Sequence, residues 1–280
     1  MECRITVLCE NTVQALGLVG EHGFAALIEI PGQNILFDTG QSIGLIRNAL
    51  LLKKDLRDIS RVVLSHGHSD HVGGLLAFLE IKGPCPVTAH PEVFRERFRL
   101  VSAPDGAREP VANGMPWPQS YLATHGARFD FQPNFTQIAP SVFITGEVPR
   151  QTAFEKGSAR LVVSRNGNFV PDPFPDDLSM IVQTSRGLVV VLGCAHAGVV
   201  NILRHAVEKT GERRIYAVVG GTHLGLSPEE QVDPSLEALQ EFNIQRLAVG
   251  HCTGQAVAAR LAVAFGDKFA FGSVGFVLEV

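Results

Sequence analysis

Read for apolar and polar positions, the chain breaks into short β-branched runs and longer amphipathic stretches. Residues 5–8 read as an edge strand. Residues 24–30 and 34–37 read as two strands joined by Pro31-Gly32, a hairpin-like opening. A helix with an apolar stripe is expected over 43–52. The run Arg61-Val62-Val63-Leu64 reads as a buried strand, residues 75–79 as a helix, and residues 86–89 as a strand ending in His90. Between 95 and 140 the pattern changes. Arg95, Arg97, Arg99 and Arg108 alternate with prolines, glycines, Trp117 and Tyr121, and little periodicity survives, which predicts a loop-rich cap. Strands resume at 142–144, 161–163, 178–183 and 188–192. Helices at 199–209, 234–242 and 256–265 then alternate with strands at 215–219, 247–249 and 275–280. Hairpins at the start and βα alternation in both halves predict an α/β fold. The expected form is an αββα sandwich, two stacked mixed sheets with helices outside, as one domain over 1–280.

The stretch Ser65-His66-Gly67-His68-Ser69-Asp70-His71 lies between the strand at 61–64 and the helix at 75–79. In an extended turn His66 and His68 point the same way, and Asp70 and His71 face a second point nearby. Imidazole and carboxylate are ligands that zinc accepts, and iron or manganese as well. So many ionisable groups in one buried turn are costly unless a cation compensates them. The same chemistry recurs down the chain. Five apolar runs lead to a histidine, at His66, His90, His196, His223 and His251. Strands of one sheet set their carboxyl ends along one edge, where sites of α/β proteins tend to lie.

The pattern His66-x-His68-x-Asp70-His71 resembles the signature of the metallo-β-lactamase superfamily. Phe37-Asp38-Thr39-Gly40, Gly193-Cys194-Ala195-His196 and His251-Cys252-Thr253-Gly254 resemble one branch of it, as do Glu21-His22-Gly23 and Gly220-Gly221-Thr222-His223. That branch holds metal-dependent hydrolases and the ribofuranosylaminobenzene 5′-phosphate synthase of methanopterin biosynthesis. The resemblance implies a metallo-β-lactamase-like sandwich and two divalent ions, zinc first, with manganese or iron as alternatives. His66, His68 and His196 are expected to hold one ion, and Asp70, His71 and His251 the other. A hydroxide between them would be the nucleophile. The superfamily usually bridges its metals with an aspartate after a glycine. Here the pair reads Gly193-Cys194, so Cys194 either ligates or packs, with packing preferred. Asp38 is expected to orient a histidine ligand, and Asp177 to stand where other members carry one. Asp70 and His223 are the expected catalytic residues, and His22, His90 and Arg150 the expected substrate contacts.

Composition narrows the choice of partner. The 280 residues are 45% hydrophobic and 19% charged, with a formal charge of −4, so no basic stripe for nucleic acid is expected. A small, anionic, phosphate-containing substrate is. No apolar run is long and unbroken enough for a signal core or a membrane span, and the odd set of five cysteines has no C-x-x-C pair. A reducing cytoplasm is the expected setting. Two other readings stay open here. Gly40-Gln41-Ser42-Ile43-Gly44 matches the G-x-S-x-G elbow of serine hydrolases, with Ser42 as nucleophile. The same histidines could also serve a sensor or scaffold without turnover.

Overall fold

The computed structural model describes residues 2–103 and 106–280. Met1, in the expected domain, and Pro104 and Asp105, in the expected cap, lie outside the described residues. In chain order the first half holds β1 (Arg4–Cys9), β2 (Ala25–Ile30), β3 (Gln33–Phe37), α1 (Gly44–Leu51), β4 (Arg61–Val63), α2 (Ser69–Val72), α3 (Leu75–Lys82) and β5 (Cys85–Ala89). Then come β6 (Arg97–Ser102), β7 (Arg108–Ala112), α4 (Gln119–Thr124), β8 (Ala127–Phe131), β9 (Thr136–Ala139) and β10 (Val142–Ile144). The second half holds β11 (Leu161–Arg165), β12 (Asn168–Pro171), β13 (Ser179–Thr184), β14 (Gly187–Leu192), α5 (Val199–Thr210) and β15 (Ile215–Gly221). It closes with α6 (Glu229–Glu241), β16 (Arg246–Gly250), α7 (Gln255–Phe265), β17 (Phe269–Phe271) and β18 (Val277–Glu279).

Two seven-stranded sheets carry the fold, in the orders β18-β1-β2-β3-β4-β5-β8 and β17-β16-β15-β14-β13-β10-β9. Each is antiparallel at one side and parallel at the other. The first turns parallel from β3 through β8, the second from β14 through β17. The expected αββα sandwich is what forms. Period-two alternation builds its layers. In β14, Val189 and Val191 enter the core between the sheets, while Leu188, Val190 and Leu192 face the outer layer with Ile202, Leu203 and Leu239. Strands buried on both faces read as unbroken apolar runs for this reason. The Pro31-Gly32 turn closes β2 on β3, with Gly32 at a φ of 77° that a side chain would resist.

Several boundaries differ from the sequence reading. The stretch 95–140, expected as a loop-rich cap, holds four strands and a helix, and Arg99, Val111, Ala112 and Asn113 of it line the cavity at the site. Its later strands, β8 and β9, extend the two main sheets at their edges, and β6 and β7 pair with β11 and β12 in a separate four-stranded sheet. The strand expected at 161–163 therefore belongs to this small sheet. Every residue of β7 is exposed, so no apolar face marks it in sequence. Helix α6 begins at Glu229, ahead of Pro234, which lies inside it instead of opening it; Glu229 and Glu230 complement the helix N-terminus. The small sheet is fastened by Arg97 on β6, which is buried. Its Nε donates to Asp172 Oδ2 at 2.7 Å and its Nη2 to Asp176 Oδ1 at 2.6 Å, while Asp176 Oδ2 accepts the amide of Gly67 at 2.9 Å.

Candidate metal centre

The parallel strands of both sheets present their carboxyl ends to one place. Asp38 follows β3, the histidine turn follows β4, Cys194 and His196 follow β14, His223 follows β15 and His251 follows β16. Asp38, Ala195, His223 and His251 all turn through left-handed backbone, at φ of 57°, 58°, 55° and 51°. Such residues cost on the order of 1–2 kcal/mol each, which the packed sheets on either side must offset.

Two donor clusters result. The Nε2 of His66, the Nδ1 of His68 and the Nε2 of His196 form a near-equilateral triangle with sides of 3.1, 3.2 and 3.2 Å. Three nitrogens held about 2.0–2.1 Å from one ion at tetrahedral angles would stand about 3.3 Å apart, so the triangle fits a single divalent cation. In the second cluster His71 Nε2 lies 3.2 Å from His251 Nε2, and Asp70 Oδ2 lies 3.3 Å from His251 Nε2 and 3.8 Å from His71 Nε2. Between the two stands Cys194, buried, its Sγ 3.1 Å from His71 Nε2 and grouped with donors of His66 and His71 on one side and His251 and Cys252 on the other. These histidine and aspartate clusters could bind metal.

Hydrogen bonds fix which nitrogen of each ring faces inward. Asp38 Oδ2 accepts from His71 Nδ1 at 2.7 Å and from the Ser65 hydroxyl at 2.7 Å, and Ser65 Oγ in turn takes His66 Nδ1 at 2.8 Å. One carboxylate thus sets the tautomer of a ring in each cluster. Asn11 Oδ1 does the same for His251 at 2.9 Å. The inward nitrogens of His66 and His251 are left as acceptors, the form a metal needs, and that of His71 would become one on losing its second proton to a bound ion. Neither Ser65 nor Asn11 was singled out in sequence. Gly193 is required beside Ser65, because a Cβ there would lie 2.2 Å from the Ser65 hydroxyl oxygen.

The electrostatics point the same way. Burial and the neighbouring imidazoles hold His66 and His196 well below the usual histidine range, and burial lowers His68 to about 3. All three are neutral at pH 7. Burial opposes a charge on His71 too, yet the Asp38 and Asp70 carboxylates outweigh it and raise that ring to about 9. The protein alone thus puts one positive charge at the place where two carboxylates meet, and a divalent ion would fill the same demand. Burial raises the Cys194 thiol well above its ordinary value when no cation is beside it; a coordinating metal deprotonates a thiol.

The remaining expected residues divide. His22 lies 3.4 Å from Asp70 Oδ2 and, with Asn11, His68, Asp70, His223 and His251, lines a cavity of about 500 Å³ open to the centre. The His223 ring sits 4.4 Å from that of His196, and burial together with His251 lowers it to about 4. His90 does not join them: its Nδ1 accepts the Glu92 amide and its Nε2 faces Glu147 at 3.3 Å. Four strand-end histidines converge, not five. Arg150 is likewise turned away, its guanidinium donating to the carbonyls of Glu155 and Pro173. Asp177 enters neither donor cluster. Its Oδ2 accepts the amide of Ala197 at 2.8 Å and so fastens the loop bearing Cys194 and His196. Ser42 donates to the Glu21 carboxylate, and among the described residues no histidine hydrogen-bonds it, so it lacks the base that the serine-nucleophile reading needs. Glu21 also accepts from the amides of Gln41, Ser42 and Gly44 ahead of α1.

A fold of two mixed sheets with this histidine turn at their shared edge defines a superfamily, and the chain belongs to it: the metallo-β-lactamase superfamily, whose profile matches residues 18–200. Among individual relatives, the chain is 29% identical over 243 residues to the 7,8-dihydropterin-6-methyl-4-(β-D-ribofuranosyl)-aminobenzene-5′-phosphate synthase of Methanocaldococcus jannaschii. The match covers 84% of this chain and 81% of that one. A solved metal-dependent hydrolase of the β-lactamase superfamily superposes with a TM-score of 0.83 at 30% identity, over 99% of both chains. The metallo-β-lactamase fold protein YhfI of Bacillus subtilis shares the fold at a TM-score of 0.59 and 14% identity over the whole of both chains. Among the described residues no helix is long and apolar enough to cross a membrane.

Proposed function

We propose that this chain is a dinuclear metal-dependent hydrolase acting on a small, phosphate-bearing substrate. The observation that carries the reading is the meeting of two donor clusters at one wall of a cavity of about 500 Å³, a size suited to a small molecule. His66, His68 and His196 would hold one ion, and Asp70, His71 and His251 the other, with Cys194 reaching both. Divalent ions there would polarise the electrophilic centre of the substrate and bring the pKa of water to about 7. A thiolate at Cys194 would favour zinc or iron over manganese.

The chain's own residues do the rest. Asp38, through His71 and Ser65, keeps both clusters in their ligating tautomers. Asp70 shares one carboxylate oxygen among His22, His71 and His251, tying the turn to the cavity mouth. His223, neutral at pH 7, presents an N–H donor that can hydrogen-bond a substrate oxygen at the cavity wall. Five free thiols support a reducing cytoplasmic setting.

A second reading, joining the 6-methyl carbon of a dihydropterin to the amine of a ribofuranosylaminobenzene phosphate with loss of a leaving group from that carbon, is supported by the name of the Methanocaldococcus relative. The two separate in one experiment. Metal-loaded protein is incubated with bis(p-nitrophenyl) phosphate, and in parallel with a dihydropterin carrying a diphosphate leaving group on its 6-methyl carbon and 4-(β-D-ribofuranosyl)aminobenzene 5′-phosphate. Chelator-sensitive release of nitrophenol without a pterin–aminobenzene adduct is the expected result. Adduct without nitrophenol would replace hydrolysis by synthesis. Neither product, with both ions bound, would favour a sensor.

A further inference from the structure

A second cavity of about 600 Å³ opens beside the first and shares Arg99, Leu161, His196, His223 and Leu226 with it. Its other polar walls are Ser158, Arg160, Ser227 and Gln231, and among the described residues no carboxylate lines it. The two arginines lie at neighbouring positions across the β6–β11 pair, Arg160 directly preceding β11. Arg99 of β6 pairs in register with Leu161, the residue after Arg160. Among the described residues neither arginine has an ion-pair partner, whereas Arg97, two positions before Arg99, is spent on Asp172 and Asp176. Two exposed arginines without a carboxylate partner at the wall of one hollow give it a positive potential that attracts an anion. Planar guanidinium forks match phosphate oxygens in pairs, and serine hydroxyls can complete the shell.

We propose that this second cavity is a binding subsite for a phosphate monoester at the far end of the substrate, held by Arg99 and Arg160 with Ser158 and Ser227, while the opposite end lies at the metal centre. The subsite rests on the hydrolase reading and makes it specific: the substrate is extended and carries a terminal phosphate apart from the bond that breaks. His196 and His223, which wall both cavities, mark where its two halves meet.

The test is a titration of metal-loaded protein with methyl phosphate and with α,ω-alkane bisphosphates of two to six carbons, followed by calorimetry. Two linked anions gain from each other's binding only if both have a place to sit. One spacer length should bind at least about tenfold tighter than methyl phosphate. The Arg99→Ala/Arg160→Ala variant should lose that gain and bind one methyl phosphate per chain, at the metal centre, where the wild type binds two; both positions are exposed, so the fold should tolerate it. No gain at any length, or a gain that survives the double variant, would overturn the subsite and leave the metal centre standing. Failure of the protein to take up ions at all would instead overturn the hydrolase reading, and the subsite with it.

Discussion

Asp38→Asn is the most informative single change in the centre. Asp38 is fully buried and accepts three hydrogen bonds, all at 2.7 Å: the Ser65 amide, the Ser65 hydroxyl and His71 Nδ1. Asparagine tolerates the left-handed backbone at this position, so the main chain should stay in place. Whichever way the amide turns, its NH₂ must face one of those donors. Turned toward His71, it demands an acceptor there and drives the ring proton to Nε2, the atom the ion needs. Loss of such a supporting partner usually costs 10–100-fold in metal affinity, or about 1.4–2.8 kcal/mol. His71 loses its partner directly, so its ion should weaken by about 100-fold. His66 depends on Asp38 only through the Ser65 hydroxyl, so its ion should weaken by about tenfold. Competition with a chromophoric chelator, read as two successive affinities, measures both, and circular dichroism checks that the fold persists. If the folded variant binds both ions as the wild type does, tautomer control by Asp38 is wrong.

Three further predictions follow from the same geometry. Cys194→Ser should abolish the thiolate-to-metal charge-transfer absorption of the cobalt-substituted protein, and an unchanged spectrum would return Cys194 to packing. His223→Ala should keep both ions and lose roughly 10²–10³-fold in turnover, the worth of one positioned hydrogen-bond donor; loss of an ion would place His223 among the ligands, and full activity would make it a bystander. In metal-free protein the folded state keeps the His71 proton up to about pH 9, while the unfolded chain releases it near 6.5. The His71 pair therefore contributes its full stability, about 3 kcal/mol, below pH 6.5 and loses it as pH rises through 9. His68 runs opposite: it stays neutral in the fold down to about 3, so its contribution falls as pH drops from 6.5 toward 3. Melting temperatures of the metal-free His71→Gln and His68→Gln variants, set against the wild type across these windows, should show the two slopes disappear in turn.

The centre was legible where local spacing fixes geometry. His66, His68, Asp70 and His71 share one turn, and His196 and His251 each follow an apolar strand whose parallel partners align their ends. What escaped depends on partners distant in sequence. Ser65 and Asn11 are ordinary polar residues until the fold brings Asp38 to one and His251 to the other. In sequence Arg97 reads like Arg95, Arg99 and Arg108 beside it, because nothing local announces the two aspartates, Asp172 and Asp176, that bury it. His90 misled for the converse reason: it ends a strand of the right sheet, but caps the next turn in place of facing inward. The small sheet was invisible because β7 has no buried face to impose a period of two.

The Arg97 network has a thermodynamic consequence. A single aspartate, Asp176, grips the small sheet through Arg97 and the amide of Gly67 in the middle of the histidine turn. Whatever stiffens that turn also stiffens the anchor of the sheet that walls both cavities. Filling the centre with ions and filling the cavities with substrate are then linked events, and linkage is reciprocal: the factor by which ions tighten substrate is the factor by which substrate retains ions. An enzyme so built would resist chelation best while it is working, and would give up its metals most readily when idle.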